Sequence, residues 1–421
     1  MDHVTPARFL ASHEDTAFAS TSPKILLPAA LHRDRCAARL HVQLPPPRAE
    51  LRLSVILPAN NEAAALPATL ASLAAQTDLC GRPLPAGSYE VLVLANNCTD
   101  ATAAVVRQQA RRFPQLVLHT AQVRLPAAQA HVGRARRLLM DAACARLEQV
   151  GHPAGIIAST DADTRVAPTW LAATEAEIAA GADAVGGRIL TEINERALLP
   201  LRRIQLRDAA YRQLCARLED LLDPAPADPW PRHHQHFGAS LALTTRAYRR
   251  VGGLPEVRFL EDEALCQALR RHDLALRHSP GVQVLTSARR QGRVEVGLSW
   301  QLGEWLNMSR QQREPHVDNP VQLAALWRVR PLLRAHWAAR PVHPCRVLAG
   351  CLGLPPAVLL ARVQLAATFG DLWEWVLKNS PAATVASLPL SRALLALPML
   401  IRQCRVGPVG SLEEMPVGWV M

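Results

Sequence analysis

Short apolar segments alternate with helical segments from residue 53 onward, and this alternation constrains the fold more than any other feature of the sequence. The predicted strands are 53–57, 89–94, 116–120 and 156–160. The helices predicted between them are 62–76, 101–112 and 129–150. Such alternation builds a mostly parallel sheet with helices on both faces and right-handed crossovers. The sequence therefore predicts an α/β fold.

The chain continues with mixed elements and then becomes mainly helical. Further predicted helices are 168–180, 195–222 and 246–251. Further predicted strands are 184–190, a strand that ends at 243, and 282–285. Composition divides the chain into a partly ordered N-terminal arm (1–48) that ends in three prolines, an α/β domain (49–300) and a helical C-terminal extension (301–421).

The charge balance narrows the choice of partners. The chain has 47 Lys and Arg residues against 36 Asp and Glu residues, so its formal net charge is +11. An Arg-rich surface suits nucleotide diphosphates or anionic lipid. Only 4% of the residues are aromatic and no basic-aromatic module is visible, which argues against nucleic acid.

Cysteine usage and hydropathy bear on the compartment. The nine cysteines form no CxxC pair, which is typical of reduced thiols in a cytoplasmic protein. Residues 1–22 lack the apolar core of a signal peptide, and no run reaches the about 18 apolar residues of a spanning helix. The region after residue 320 is apolar and contains many Arg residues, which is compatible with peripheral contact at the inner, anionic face of a membrane.

Two carboxylates one residue apart follow the fourth predicted strand. Asp161 and Asp163 lie just beyond its carboxyl end, the edge at which open α/β sheets bind ligands. Hard oxygen ligands suit Mg²⁺ or Mn²⁺, and such an ion would hold a diphosphate. The alternative is a solvated turn, because Asp and Thr also favour loops after strands.

Polar clusters end two other strands, and an acidic cluster opens a later helix. The clusters are Pro58-Ala59-Asn60-Asn61-Glu62, Asn96-Asn97-Cys98-Thr99-Asp100 and Glu261-Asp262-Glu263. Glu62 is placed to accept hydrogen bonds from a nucleoside, and the Asn cluster is placed to meet the edge of a base. Helix caps and Asx turns are the alternatives for all of these residues.

In this order and at these separations, the motifs resemble those of a family 2 glycosyltransferase of the GT-A fold, over residues 52 to about 300. The resemblance implies a Rossmann-like nucleotide-binding half and transfer of a sugar, usually with inversion, from a nucleotide-diphosphate sugar to a hydroxyl. The acceptor, whether a glycan, a lipid-linked hydroxyl or a small molecule, stays open. The resemblance also implies that Asp163, and less directly Asp161, hold Mg²⁺ or Mn²⁺. Asp262 would be the general base, with Glu261 orienting it or touching the acceptor.

The same resemblance suggests donor and acceptor contacts. Donor contacts are expected at Pro58, Ala59, Asn61, Glu62, Asn96, Asn97, Asp100 and Asp161. Acceptor contacts are expected at the small residues Gly238, Ala239 and Ser240, where a bulky side chain would block the sugar. The usual Asp at the start of the second motif is Ala95 here, so the identity of the nucleotide is left open.

Arginines suit the donor diphosphate because guanidinium binds phosphate in a bidentate manner. One of Arg134, Arg136 and Arg137 could reach the phosphates, and Arg134 is our first choice. One of Arg289, Arg290 and Arg293 is better placed, with Arg289 and Arg293 preferred. Nearby, His233, His234 and His236 form a cluster that we interpret as polar loop residues, with a metal triad as the alternative.

Two other functions compete with sugar transfer. A nucleotidyltransferase on a similar sheet would be expected to have a Gly-rich phosphate loop with a Lys after the first strand, and residues 58–65 contain neither residue type. A degenerate homologue could act as a nucleotide-sugar-binding or scaffold subunit. The presence of Asp161, Asp163 and Asp262 argues against that alternative.

Overall fold

The computed structural model describes residues 44–152, 154–192, 199–287 and 297–406. Within these ranges the strands are β1 (Leu53–Ala59), β2 (Tyr89–Asn96), β3 (Val117–Val123), β4 (Ile156–Ser159), β5 (Thr164–Val166), β6 (Ala184–Glu192), β7 (Leu241–Thr244), β8 (Leu276–Ser287), β9 (His316–Asp318) and β10 (Ser387–Pro389). The first seven helices are α1 (Leu66–Ala74), α2 (Thr102–Arg112), α3 (Val132–Gln149), α4 (Trp170–Ala179), α5 (Leu199–Leu222), α6 (Thr245–Arg250) and α7 (Glu261–Arg271). The remaining helices are α8 (Leu298–Arg310), α9 (Pro320–Ala338), α10 (Arg346–Leu352), α11 (Pro356–Leu365), α12 (Phe369–Asn379) and α13 (Leu390–Val406).

Eight strands form one sheet in the order β3-β2-β1-β4-β7-β6-β8-β5. β3, β2, β1 and β4 are parallel, β7 is antiparallel to both β4 and β6, and β6 is parallel to β8. The predicted, mostly parallel α/β sheet is therefore confirmed. The short edge strand β5 was not predicted, because three residues carry too little periodicity to be recognised in a sequence.

Helices cover both faces of the sheet, as predicted. On one face α3, α6 and α7 bury apolar side chains that include Leu139, Tyr248 and Leu265. On the other face α1 and α4 bury Leu70 and Trp170. Since both faces are covered, β1 and β2 are almost entirely buried and read as continuous apolar runs rather than as alternating patterns.

A buried ion pair fixes α3 against the sheet. Glu90 of β2 accepts two hydrogen bonds from Arg146 of α3, at 2.8 and 2.6 Å, and a third from Ser54 Oγ at 2.9 Å. Burial alone would raise the pKa of the Glu90 carboxyl, but the hydrogen bonds from Arg146 and its charge lower it overall. The pair determines where the opposite, N-terminal end of α3 lies, and that end carries Arg136.

The C-terminal helices pack directly on the α/β part, which confirms a helical C-terminal region. Arg330 and Arg334 of α9 pair with Asp223, which follows α5. Arg271 of α7 pairs with Glu374 of α12 through bonds of 2.5 and 2.7 Å. The boundaries proposed at residues 48 and 300 stay predictions, and residues 1–43 of the predicted arm lie outside the described ranges.

Among the described residues, no single helix has both the length and the apolar composition needed to cross a membrane. Taken together, α10 and α11 satisfy those two requirements, but a bend of 99° separates them.

Candidate active site

The loops after β1 and β2 interlock at the carboxyl edge of the sheet. Asn61 has a left-handed backbone with a φ of 55°, and its Oδ1 accepts hydrogen bonds from the amides of Thr99 at 2.7 Å and Asp100 at 3.2 Å. Asp100 in turn accepts from the amide of Ala63 at 3.1 Å. The structure therefore uses the side chains of Asn61 and Asp100 to build the edge at which the sequence predicted donor contacts.

Asn97 and Asn96 differ in what they do. Asn97 exchanges two hydrogen bonds of 2.9 Å with the backbone of Leu125, so it ties the end of β2 to the segment after β3. Asn96 is 5% exposed, and its Oδ1 has no hydrogen-bond partner among the described residues. A buried acceptor without a partner costs about 1–3 kcal/mol, so this oxygen is a candidate for a ligand contact.

An open cavity lies beside Asn96. Its volume is about 260 Å³, and it is lined by Ala95, Cys98, Gln122, Val123 and Arg124. The cavity therefore lies where β2 and β3 end. Ala95, which stands where the resembled motif usually has Asp, is part of its wall.

The predicted donor residues at the end of β1 are more deeply set than expected. Pro58 and Ala59 belong to β1 itself and lie opposite Leu94 and Ala95 of β2. Glu62 is buried, but it does not open a helix as the sequence predicted, because α1 begins four residues later at Leu66. Residues 63–65 form turns instead, and the amide of Glu62 donates to Thr102 Oγ1 at 2.8 Å.

Asp161 and Asp163 flank a tight turn between β4 and β5. The amide of Thr164 donates to the carbonyl of Asp161 at 3.1 Å, and the carbonyl of Asp163 accepts from the amide of Ser287 at 3.3 Å. The Asp161 side chain is 37% exposed, and its Oδ1 lies 2.9 Å from Arg136 Nη2. The two acids are therefore at the carboxyl edge of the sheet, as predicted.

Arg136 is the centre of the site. Its side chain is 4% exposed, and its Nε donates to Glu261 Oε1 at 3.0 Å while its Nη1 donates to the carbonyl of Gly238 at 3.0 Å and to Ser159 Oγ. Burial alone would lower the pKa of the guanidinium, but the charges of Asp161, Glu261 and Asp262 raise it overall. One permanent cation thus connects the predicted metal carboxylates with the predicted catalytic helix.

The other two arginines of this segment lie elsewhere. Arg134, our first choice from the sequence, donates to Glu256 Oε1 at 2.8 Å, and Arg137 pairs with Asp141 at 2.9 Å. Arg136 and not Arg134 therefore joins the carboxylates. Arg289, Arg290 and Arg293 lie outside the described residues.

The small residues at 238–240 serve the fold in a way the sequence did not suggest. A Cβ on Gly238 would lie 2.5 Å from the guanidinium carbon of Arg136, so the glycine makes room for that side chain. Ala239 is buried, and Ser240 is buried with its Oγ accepting from Trp170 Nε1 at 3.0 Å. The turn at 238–240 directs the Ser240 hydroxyl into the core, and the predicted acceptor contacts at these three residues stay predictions.

The acidic cluster opens α7 as predicted. Leu260 has a left-handed backbone with a φ of 56° and starts the helix, so Asp262 lies in the first turn, where helix amides stabilise a negative charge. Asp262 Oδ2 accepts from the amide of Gly238 at 2.7 Å, and its Oδ1 accepts from the amide of Glu263 at 2.8 Å. Burial, together with the charge of Asp262, raises the pKa of Glu261 against the opposing effect of Arg136.

The acids at the strand end fit a divalent ion. Magnesium is commonly held by one or two carboxylates together with substrate phosphates, and Asp161 and Asp163 supply that set of hard oxygens.

A metal triad is the alternative to the polar-loop interpretation of the histidine cluster. In the part of the chain that the structure describes, no three His, Cys, Asp or Glu residues are grouped to hold a metal. His233, His234 and His236 therefore do not form a metal triad.

A comparison with protein families identifies this arrangement. Residues 54–228 match the family model described as glycosyl transferase family 2. Over these residues the chain resembles family 2 glycosyltransferases, as its motifs predicted. Its mostly parallel sheet agrees with the GT-A-type fold that the resemblance implied.

Solved structures similar to this chain include the following three. The mannosyltransferase PcManGT from Pyrobaculum calidifontis, solved with GDP-Man and Mn²⁺, is 17% identical with a TM-score of 0.41, and the match covers 88% of this chain and 92% of that one. S. aureus TarS 1-349 with UDP-GlcNAc is 15% identical with a TM-score of 0.40, covering 77% and 90%. M. tuberculosis glucosyl-3-phosphoglycerate synthase is 17% identical with a TM-score of 0.35, covering 66% and 86%. Among curated protein sequences, none matches this chain.

Proposed function

We propose that this protein is a nucleotide-sugar-dependent glycosyltransferase, that it is metal-dependent and inverting, and that Asp262 deprotonates the acceptor hydroxyl. The observation that carries the proposal is the meeting of Asp161, Glu261 and Asp262 around the buried Arg136. The chain separates the first two acids by 100 positions, and Arg136 of α3 bonds to both of them.

The donor half of the site is formed by the ends of β2 and β4. Asp163 and Asp161 would hold Mg²⁺ or Mn²⁺, and the bound ion would neutralise the leaving diphosphate. Arg136 restrains the Asp161 carboxylate from one side. The cavity at the ends of β2 and β3 is suited to the base of the nucleotide, because it is open and is lined by the polar side chains of Gln122 and Arg124. Asn96 follows the lining residue Ala95, and its buried amide oxygen has no partner among the described residues.

Asp262 is held for proton transfer by two backbone donors, one on each carboxylate oxygen. In the proposed reaction the acceptor oxygen forms a bond to the anomeric carbon while the bond from that carbon to the diphosphate breaks. The hydroxyl proton passes to the Asp262 carboxylate, and the electron pair of the broken bond leaves with the diphosphate. Attack on the face opposite the leaving group gives inversion.

The experiment is the kinetic comparison of wild type with Asp262→Asn. Loss of a general base should lower kcat and kcat/KM together by about 10²- to 10⁴-fold and leave donor affinity nearly unchanged. Glu256→Gln is the control, since it neutralises a carboxylate that is 52% exposed and pairs with Arg134 away from Asp262. An Asn variant that melts earlier but transfers sugar at the parental rate would show that Asp262 is only a helix acid.

A second experiment, on the wild-type protein alone, addresses the alternative of a degenerate binding or scaffold subunit. Release of nucleoside diphosphate from a nucleotide sugar by the wild-type protein, with water as the acceptor, requires an active site. The screen would use UDP-glucose, UDP-GlcNAc and GDP-mannose with Mn²⁺. Binding of a donor without any release, in the presence of a range of hydroxyl acceptors, would favour the scaffold.

We further propose that the protein contacts an anionic membrane leaflet through α10 and α11, where it would meet a lipid-linked acceptor. Residues 319–370 contain six Arg residues and no Asp or Glu. Arg330, Arg334 and Arg362 form ion pairs with acids outside this range, so Arg328, Arg340 and Arg346 supply the charge of the surface. The outer side of the bent pair and the segments beside it expose Val342 and Leu365, both at 76%, together with Val347 and Val358. A surface with this charge is complementary to anionic lipid and would repel a second copy of itself. The cytoplasmic location stays a prediction.

The membrane proposal is tested by sedimentation with vesicles. The wild type should bind vesicles that contain phosphatidylglycerol at low salt, and should bind them less at high salt and in the variant Val347→Ser, Leu365→Ser. Leu79→Ser is the matched control, because Leu79 is also exposed but lies in the α/β part. Equal sedimentation of the control and the double variant, or dimerisation through this surface, would contradict the proposal.

A further inference from the structure

A buried row of titratable side chains runs from α7 to the loop after α5. Glu263 Oε2 lies 2.6 Å from His236 Nε2, His236 Nδ1 lies 3.2 Å from His278 Nε2, and His278 Nδ1 lies 2.7 Å from Asp228 Oδ2. All four side chains are mostly or fully buried. Neither of the roles predicted for His236 from the sequence, polar loop residue or metal ligand, accounts for this row.

The geometry determines how many protons the row holds. The ionised carboxylates at its two ends only accept hydrogen bonds, so the ring nitrogen that faces each of them must carry a proton. Between the two rings, one nitrogen must donate and the other must accept. Two imidazoles therefore carry three N–H protons, one more than two neutral rings would. The extra proton therefore belongs to the row of hydrogen bonds as a whole.

The pKa of Glu263, the carboxylate at the α7 end of the row, shifts in the direction expected for a carboxylate beside a protonated ring. Burial would raise the pKa of Glu263, but its hydrogen bond with His236 and the charge of that ring lower it to about 2. Glu263 is therefore a carboxylate at all ordinary pH values, and the row carries two negative charges and one positive charge.

This row supports the two amides that hold Asp262. One amide belongs to Gly238, two residues after His236, and the other belongs to Glu263 itself. The pair of His236 and Glu263 thus connects the two chain segments that supply both donors. Separation of the pair would let those segments move independently and would turn the Asp262 carboxylate.

We infer that His236 and Glu263 are positioning residues for Asp262, and that the single extra proton in this row keeps them joined. The inference rests on the proposed role of Asp262 as the base. Among the described residues, other charged or titratable groups that face the row are Arg270 and Cys266 beside Glu263 and His236, Arg277 and Arg232 beside Asp228, and His233 and His234 beside the rings.

The first test is the pH dependence of turnover in Glu263→Gln. In the wild type, kcat should fall at alkaline pH when the extra proton leaves. The variant removes one of the two carboxylates that favour the imidazolium, so this alkaline limb should move to lower pH, by about one unit or more. Gln267→Ala is the control, since Gln267 donates only a 3.3 Å bond to the other oxygen of Glu263, and its limb should not move.

The second variant separates positioning from stability. Glu263→Ala should lower kcat on the order of 10²-fold through misplacement of Asp262, with a much smaller change in donor KM, and Glu263→Gln should recover part of that loss. A purely structural role would lower the melting temperature without moving the pH limb. An alkaline limb that is identical in wild type and Glu263→Gln would overturn the inference.

A measurement without turnover completes the test. Nitrogen-15 NMR of the histidine rings, assigned by comparison with His236→Gln, should show one doubly protonated ring in the row at neutral pH. Two neutral rings there would refute the proton count. Different results would contradict the inference and the proposed function. Parental activity in Asp262→Asn would show that Asp262 is not the base. An inactive Asp262→Asn together with a fully active Glu263→Ala would contradict only the positioning role of His236 and Glu263.

Discussion

Replacement of Arg136 by Met tests whether this guanidinium holds the site together. Methionine is also unbranched and nearly fills the space of the aliphatic stem, so the change removes mainly the charge and its donors. The guanidinium donates to two carboxylates, one carbonyl and one hydroxyl. After the replacement, the buried Glu261 has lost its cation, while Asp161 remains partly solvated.

The expected cost is about 3–5 kcal/mol in the free energy of unfolding, the usual consequence of removing one member of a buried ion pair. Most of it should come from Glu261, since solvent compensates Asp161 in part. Arg134→Met is the matched control. It lies two residues away on the same helix and pairs with the exposed Glu256, so its ion pair should account for about 1 kcal/mol or less.

The cost should also depend on pH in a defined direction. Burial raises the pKa of Glu261 in the folded protein, so the folded state binds more protons than the unfolded state just above pH 4.3, roughly the pKa of an unfolded Glu. The contribution of the Glu261 carboxyl to the free energy of unfolding is therefore fully present below about pH 4.3 and is lost as the pH rises through the pKa of the folded state. Removal of Arg136 raises the folded pKa further, so the variant should lose more stability at alkaline pH than at acidic pH.

Chemical denaturation followed by tryptophan fluorescence, at acidic and alkaline pH, measures both effects. The reasoning fails if Arg136→Met costs no more than Arg134→Met, or if the cost of Arg136→Met does not grow with pH. Either outcome would mean that water or another group compensates Glu261.

Three further predictions concern neighbouring residues. Gly238→Ala should displace the guanidinium of Arg136, cost about 1–3 kcal/mol in thermal denaturation and lower turnover, and normal turnover would exclude the tight contact. Asp163→Asn should abolish the additional thermal stabilisation that Mn²⁺ gives in the presence of donor while the fold stays intact, and undiminished donor affinity would remove the metal role. Asn96→Ala should weaken nucleotide binding in calorimetry, while the free protein loses no hydrogen bond at Oδ1, because that atom has no partner among the described residues. Equal affinity for UDP and GDP before and after would contradict a base contact.

The local patterns of the sequence were sufficient for the α/β architecture and the edge of the site. The apolar runs of β1, β2 and β4 are short and bounded by polar residues, so their ends could be located to within a few residues. Asp161, Asp163 and the acidic start of α7 follow from the same local reading. The start of α1 was missed because the turns at 63–65 lie in a segment that is equally compatible with a helix.

The partners of the charged side chains could not be predicted in this way. Arg134, Arg136 and Arg137 have the same chemistry, and the sequence contains no signal that separates them. Arg136 alone of the three lies against Gly238 and the carboxylates, because the Glu90–Arg146 pair and the apolar face of α3 set the rotation of the helix. Successive helical residues point about 100° apart, so a different rotation would have selected another arginine.

By itself, then, the sequence determined the fold class, the family resemblance and the strand ends that carry the acids, since each depends on patterns within a few neighbouring residues or on motif order. The tertiary structure decided which arginine meets those acids, that Ser240 belongs to the core, and that His236 joins Glu263 rather than a metal. His236 is 27 residues from Glu263 and 42 residues from His278 in the sequence. Contacts between such distant residues are set by the packing of whole helices and strands, and no local period in the chain encodes them.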